Sequence, residues 1–229
     1  MNRYAKWVLA LTLLSLCATG VLLQFMPARV PMHMNVAGEL DRIGSKYELL
    51  LLPALTALCG GGMLVLARFG AKHMGSAGAA ALSRGAVIVT AVLTVAFLVL
   101  QWRIASGSAQ TPDGMALFSR IFGLLMSFSM GAIVIVLSNL MPKAGRNALF
   151  GLRTRWSGKN DRVWQRCQRF GGWTGVLCGI LIIVSGAFLD MRVGGWVMLG
   201  LIAGWSTVCI IASYRIWRRD VREHPEEKT

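Results

Sequence analysis

The sequence predicts an all-α polytopic membrane bundle of six transmembrane helices, with both termini in the cytoplasm. Three observations predict it: a composition too apolar for water, six apolar runs of spanning length, and a one-sided placement of basic residues. Of 229 residues, 55% are hydrophobic and 15% charged, whereas a water-soluble domain carries about 25% charged residues. The formal charge is +14, from 24 Lys+Arg against 10 Asp+Glu. A nucleic-acid binder needs its cations on a soluble surface beside a folded core. Here they sit between apolar runs, so no direct nucleic-acid partner is expected.

The first run, 7–26, has Gln24 as its one strongly polar member and is long enough to cross a hydrocarbon core of roughly 30 Å. The others are 49–67, 85–102, 115–141, 172–189 and 193–214, the last two separated by a turn at Asp190, Met191 and Arg192. The longest stretch outside them, 142–171, is shorter than the roughly 50 residues of an independent domain. The expectation is one membrane domain over 1–229. Arg3 and Lys6 ahead of an apolar run could open a signal peptide, but the run outlasts the usual apolar region and no Ala-x-Ala closes it. Cys17 follows the bulky Leu16, against lipoprotein processing, so the first span should be retained.

Lys and Arg set the orientation, because they resist translocation. Eighteen of the 24 fall on the side of the termini, against six on the other, Arg29, Arg42, Lys46, Arg103, Arg120 and Arg192. The terminal side is therefore expected to be cytoplasmic. Trp7, Trp102, Trp173, Trp196 and Trp217 stand near span ends, where an amphipathic ring anchors at the headgroups. Five cysteines in no Cys-x-x-Cys spacing read as small core residues. Gly60 to Gly62, and Gly171, Gly172, Gly175 and Gly179, read as close helix packing. Phosphate-loop, zinc-helix and nucleophile-elbow motifs do not occur, so neither catalysis nor a cofactor is expected.

Two polar loops carry the functional candidates. In the outer one, Pro27 and Pro31 fix φ and stiffen the chain into an extended arm. Gly38 then permits a turn. His33 and Asn35 share a face of that arm, and Glu39 and Asp41 follow the turn. An imidazole, an amide and carboxylates could hold a metal ion, with His33 and Asp41 as ligands, or the charged end of a peptide. With a single imidazole, loop structuring or partner contact is the favoured reading.

The inner loop should begin where Pro142 ends the fourth span, with Asn139 satisfying backbone groups that the proline frees. From Asp161 as N-cap, a short interfacial helix is expected before the fifth span. It would place Val163, Trp164, Cys167 and Phe170 on one face and Arg162, Gln165, Arg166 and Arg169 on another. Residues 142–170 hold eight basic residues against one acid, Asp161. That charge suits anionic lipid headgroups or an acidic cytoplasmic partner.

The inner pattern comprises Asn139, Pro142, Lys143, Asn147, Gly151, Arg153, Thr154, Trp156, Trp164, Arg169 and Gly172. It resembles the signature of the SdpI family of bacterial integral membrane proteins. The outer pattern of Pro27, Pro31, His33, Asn35, Gly38 and Asp41 is similar to a domain of unknown function often fused to it. The domain organisation is then a two-span unit over 1–68 and an SdpI-like unit over 115–214, with its basic loop at 142–171. Two departures stand out: Arg155 follows Thr154 where the family commonly has proline, and Cys167-Gln168 replaces a common Thr-His.

The resemblance implies a multi-pass protein of the bacterial plasma membrane that confers immunity to a secreted antimicrobial peptide toxin. It also implies sequestration of a cytoplasmic transcriptional repressor, and hence signal transduction. The alternatives are a small-molecule or ion transporter, or a metal-dependent membrane enzyme using the His33 and Asp41 loop. Against them, the spans hold few ionisable residues apart from Arg120 near one outer end.

Overall fold

Helix α1 (Arg3–Phe25) starts on Asn2, whose side chain accepts from the Tyr4 amide, one of the orphan donors of a first turn. In this computed structural model, residues 2–35, 40–107, 112–143, 145–146 and 151–225 are described. After α1 the chain forms an antiparallel hairpin, β1 (Arg29–Met34) and β2 (Leu40–Ser45). It then enters one 3-10 turn, Lys46–Leu50, capped by Ser45 and Glu48 in a reciprocal capping box.

One helical run, Leu51–Ala105, follows and breaks at Gly75 (φ 75°, ψ 165°), a conformation open to glycine because it lacks Cβ. The break divides two spans, α2 (Lys46–Ala71) and α3 (Gly75–Ala105). Then come α4 (Pro112–Leu140), a 3-10 turn Met141–Lys143, α5 (Asp161–Phe188) and α6 (Met191–Glu223). All six helices are long and apolar enough to cross a membrane. The protein is an all-α polytopic bundle, with the small hairpin as an addition that the apolar pattern did not announce.

The connection expected between the second and third spans is mostly helix. Ala79, Ala80, Ala81 and Leu82 favour it, and Ala81 and Leu82 are buried with Ala67 and Leu140. The 31 residues of α3 reach about 46 Å, well past the roughly 30 Å of hydrocarbon.

Helices α4 and α5 meet through small residues. A Cβ on Gly179 would lie 2.7 Å from the Gly131 carbonyl, and one on Gly131 2.6 Å from the Gly179 carbonyl. Ser138 packs against Gly175 and Ser127 against Gly186 in the same seam. Lipid gives helices no hydrophobic drive to associate, so close backbone contact supplies the attraction. At the hairpin end, Val30 is fully buried among Leu23, Met26, Leu49, Leu100, Ile104 and Phe118. This plug seats the hairpin on α1 to α4.

Candidate functional site

At the hairpin end, register shifts flank His33 between Pro31 and Met34, and place it opposite Arg42. Its Nδ1 lies 2.7 Å from Asp41 Oδ1, with both side chains exposed. Arg42 pairs with Glu48 at 2.6 Å. Lys46 sends its ammonium back to the carbonyls of Leu23 and Met26 at 2.7 and 3.2 Å. That cation closes the C-terminus of α1, where unpaired carbonyls and the negative end of the helix dipole lie. The expected arm is thus a braced hairpin, because its strands bond each other and Lys46 ties it to the first span.

Beneath His33 and Asn35 is a cavity of about 490 Å³. Phe122 and Met126 of α4 line it, as do Met191, Met198 and Leu199 of α6, with Asp190 at the turn before α6. This is the form of a ligand site, largely apolar with a few placed polar groups. Methionine walls adapt to varied apolar shapes. His33 therefore meets Asp41 through its hydrogen bond and shares the cavity lining with Asn35, while Gly38 and Glu39 lie outside the described residues. Among the described residues no group of three His, Cys, Asp or Glu gathers to hold a metal.

At the other end, the connection from Gly151 to Asn160 is a knot of satisfied polar groups. Gln168, 1% exposed, accepts from the Leu152 amide at 2.8 Å and donates to the Leu152 carbonyl at 3.0 Å. Gly151 has φ 107°, and a Cβ there would collide with the Gln168 amide. Ser157 Oγ accepts from the Thr154 amide and donates to the Leu152 carbonyl, while Thr154 Oγ1 accepts from the Ser157 amide. Thr154 in turn donates to Ser213 of α6 at 2.9 Å. Trp156 sets its ring edge-on to Tyr214 at 5.2 Å. Gly151, Thr154 and Trp156 are consequently fasteners that hold the loop on α5 and α6.

Several expectations here need correction. Asn160, one residue before Asp161, is the N-cap of α5 and accepts from the Val163 amide at 2.8 Å. The amphipathic turns run unbroken into the fifth span, because Val163, Trp164 and Cys167 are buried within the protein. Asn139 is exposed and accepts from Lys143 at 3.4 Å, so its amide is not spent on the backbone around Pro142. Pro142 does end the span, in the 3-10 turn, and packs against Gly172. Asn147 lies outside the described residues.

The basic surface is partly neutralised from within. Asp220 of α6 is 3% exposed and accepts from Asn160 Nδ2 at 2.8 Å. Arg162 Nε stands 3.6 Å from it and Arg166 Nη1 4.0 Å. Arg166 also pairs with Glu223 at 3.3 Å, and Arg146 with Asp161 at 3.0 Å. Arg153, Arg155, Lys159 and Arg169 stay exposed without an ion pair among the described residues. Asp220 went unnoticed in the sequence; the signal was an acid inside the basic run Arg218, Arg219, Arg222.

A second depression, about 430 Å³, lies beside this knot between α4 and α6, with Arg153 at its rim. All five cysteines are free thiols. Cys167, Cys178 and Cys209 are buried, while Cys17 is exposed on α1.

Comparison with known proteins finds similarity over two parts of the chain. The profile of the SdpI/YfhL protein family matches residues 143–213, the span of the knot, α5 and most of α6. The chain is an SdpI-like membrane protein. The profile of a domain of unknown function (DUF1648) matches residues 10–57, which hold most of α1, the hairpin and the start of α2. The immunity protein SdpI of Bacillus subtilis (strain 168) is 30% identical over 100 residues, covering 42% of this chain and 46% of that relative. No solved structure matches. Six spans and this relationship place the SdpI-like protein in the cell membrane as a multi-pass protein. The Gln168 departure has a structural meaning in it: an amide both donates and accepts, as the Leu152 clamp requires.

Proposed function

We propose that this SdpI-like protein is a membrane immunity protein that captures a secreted, membrane-active peptide at its hairpin end, by binding and without catalysis. The observation that carries the reading is the open cavity under His33 and Asn35, lined by methionine-bearing walls of α4 and α6. A peptide that partitions into lipid presents apolar side chains beside polar backbone, and this site offers both kinds of contact. The relative named an immunity protein supports the reading. The 18 to 6 bias of basic residues supports an orientation with the hairpin outside and both termini inside.

The test is survival. Cells expressing the protein, its Met198→Trp variant or no copy are challenged with a panel of purified membrane-permeabilising bacterial peptides, at equal protein levels in the membrane. Protection against at least one peptide, lost when tryptophan fills the cavity, is the expected result. Equal killing of all three strains by every peptide overturns the reading.

A second partner, an acidic cytoplasmic repressor, is supported by the exposed cations Arg155, Lys159 and Arg169. Arg162 and Arg166 are engaged by Asp220 and belong to the protein's own packing. Reversing the charge of the three exposed residues should release such a regulator to the soluble fraction; unchanged fractionation rejects that role.

A further inference from the structure

The groove between α4 and α6 at the basic end has features that immunity does not use. Its walls are apolar, from Val134 and Leu137 of α4 and Trp205 and Ile210 of α6. Ser206 and Ile210 are exposed, so the groove is open along the lipid-facing side of α6. Arg153 stands at its rim, held there by a loop clamped to Gln168 and Ser213. Other cations of this end, Arg146, Arg162 and Arg166, each face a carboxylate. The Arg153 guanidinium is exposed and faces none among the described residues. The groove also borders Ser138, 1% exposed, whose Oγ has no hydrogen-bond partner among the described residues.

We infer that this groove is a binding site for one anionic phospholipid, with its phosphate on Arg153 and an acyl chain along the wall between α4 and α6. The charge is complementary. A guanidinium gives a phosphate two parallel, charge-assisted hydrogen bonds. Depth agrees as well, because Arg153 sits where the spans end and headgroups begin, the usual place for a basic pocket between helices to meet a lipid head. Free phosphate would leave the apolar wall uncovered, whereas a phospholipid covers the wall and neutralises the cation together. The site is independent of the hairpin-end cavity and of any peptide.

Native mass spectrometry of the full chain, purified in a mild detergent with equal phosphatidylglycerol and phosphatidylcholine, tests it. The wild type should retain one phosphatidylglycerol in preference to phosphatidylcholine. Arg153→Ala should reduce that preference at least about tenfold, the scale of one hydrogen bond to a charged group. Ser206→Phe, which fills the groove and leaves every cation in place, should displace the lipid as well. Arg169→Ala should not, since it removes one equally exposed cation away from the groove. No preference in the wild type overturns the inference, as does unchanged retention in both groove variants. Loss in Arg169→Ala as large as in Arg153→Ala also overturns it, by showing a general response to charge. If Arg153→Ala fails to fold, Ser206→Phe decides alone.

Discussion

Replacing Gln168 by methionine isolates the clamp that holds the family loop. The side chain is 1% exposed, and methionine keeps its length and approximate volume while removing both hydrogen bonds to Leu152. The Leu152 carbonyl would keep Ser157 Oγ as a donor at 2.8 Å; its amide would have no replacement for the 2.8 Å bond from Gln168. An intact bond contributes about 1 kcal/mol, and a half-buried donor left unpaired costs about 1–3 kcal/mol. Together these give about 2–4 kcal/mol, concentrated on opening of 151–157 rather than on the whole bundle. At 1.4 kcal/mol per tenfold, the lower bound is roughly a thirtyfold rise in local opening. Hydrogen–deuterium exchange of the purified protein reads this directly at the Leu152 and Thr154 amides. Faster exchange there by at least that factor, with α1 unchanged, is expected. Exchange within about threefold of wild type would show that Gln168 does not secure the loop.

Three further outcomes follow from the packing. Gly179→Val drives a side chain into the Gly131 carbonyl and Ile135 and should lower the melting temperature, with about 1–3 kcal/mol of overpacking. Gly200→Val, where a Cβ meets nothing within 4 Å, should leave melting nearly unchanged, and equal losses in the two would contradict the α4/α5 seam. Lys46→Met removes the ammonium from the Leu23 and Met26 carbonyls and should cost about 1.5–3 kcal/mol. The loss should be read as faster exchange at the end of α1 and in β1. Asp220→Asn removes the charge facing Arg162 and Arg166, both half-exposed, and should cost about 1 kcal/mol after solvent screening. Melting of the wild type should fall with added salt more steeply than that of the variant; parallel slopes would deny the ion pairs a role in stability.

The spans were legible because roughly 20 consecutive apolar residues admit few other meanings. Pro142 and the glycines of α5 were legible for the same reason, each leaving the backbone few options. What escaped depended on pairing between distant segments. Nothing local in Arg29 to Ser45 distinguishes a stiff arm from a hairpin, because Val30 chooses strand by filling a hole among four helices. Asp220 is invisible as a hub until α6 brings it beside Asn160, 60 residues earlier. The basic loop looked like one uniform platform, since charge counting cannot see that internal acids take Arg146, Arg162 and Arg166. Residues 68–84 fell between two apolar runs and read as a connection, and the burial of Ala81 and Leu82 against Ala67 and Leu140 favours helix there.

Site-specific photo-crosslinking reads capture at the hairpin-end cavity directly. A diazirine-bearing amino acid no larger than methionine, which leaves the cavity open, at Met198, and separately at Ser206 beside the other groove, would be irradiated in membranes carrying a peptide against which the protein protects. A covalent adduct with the peptide is expected from position 198 and none from position 206. Protection without an adduct at 198, or an adduct at 206 alone, would contradict capture at the hairpin end.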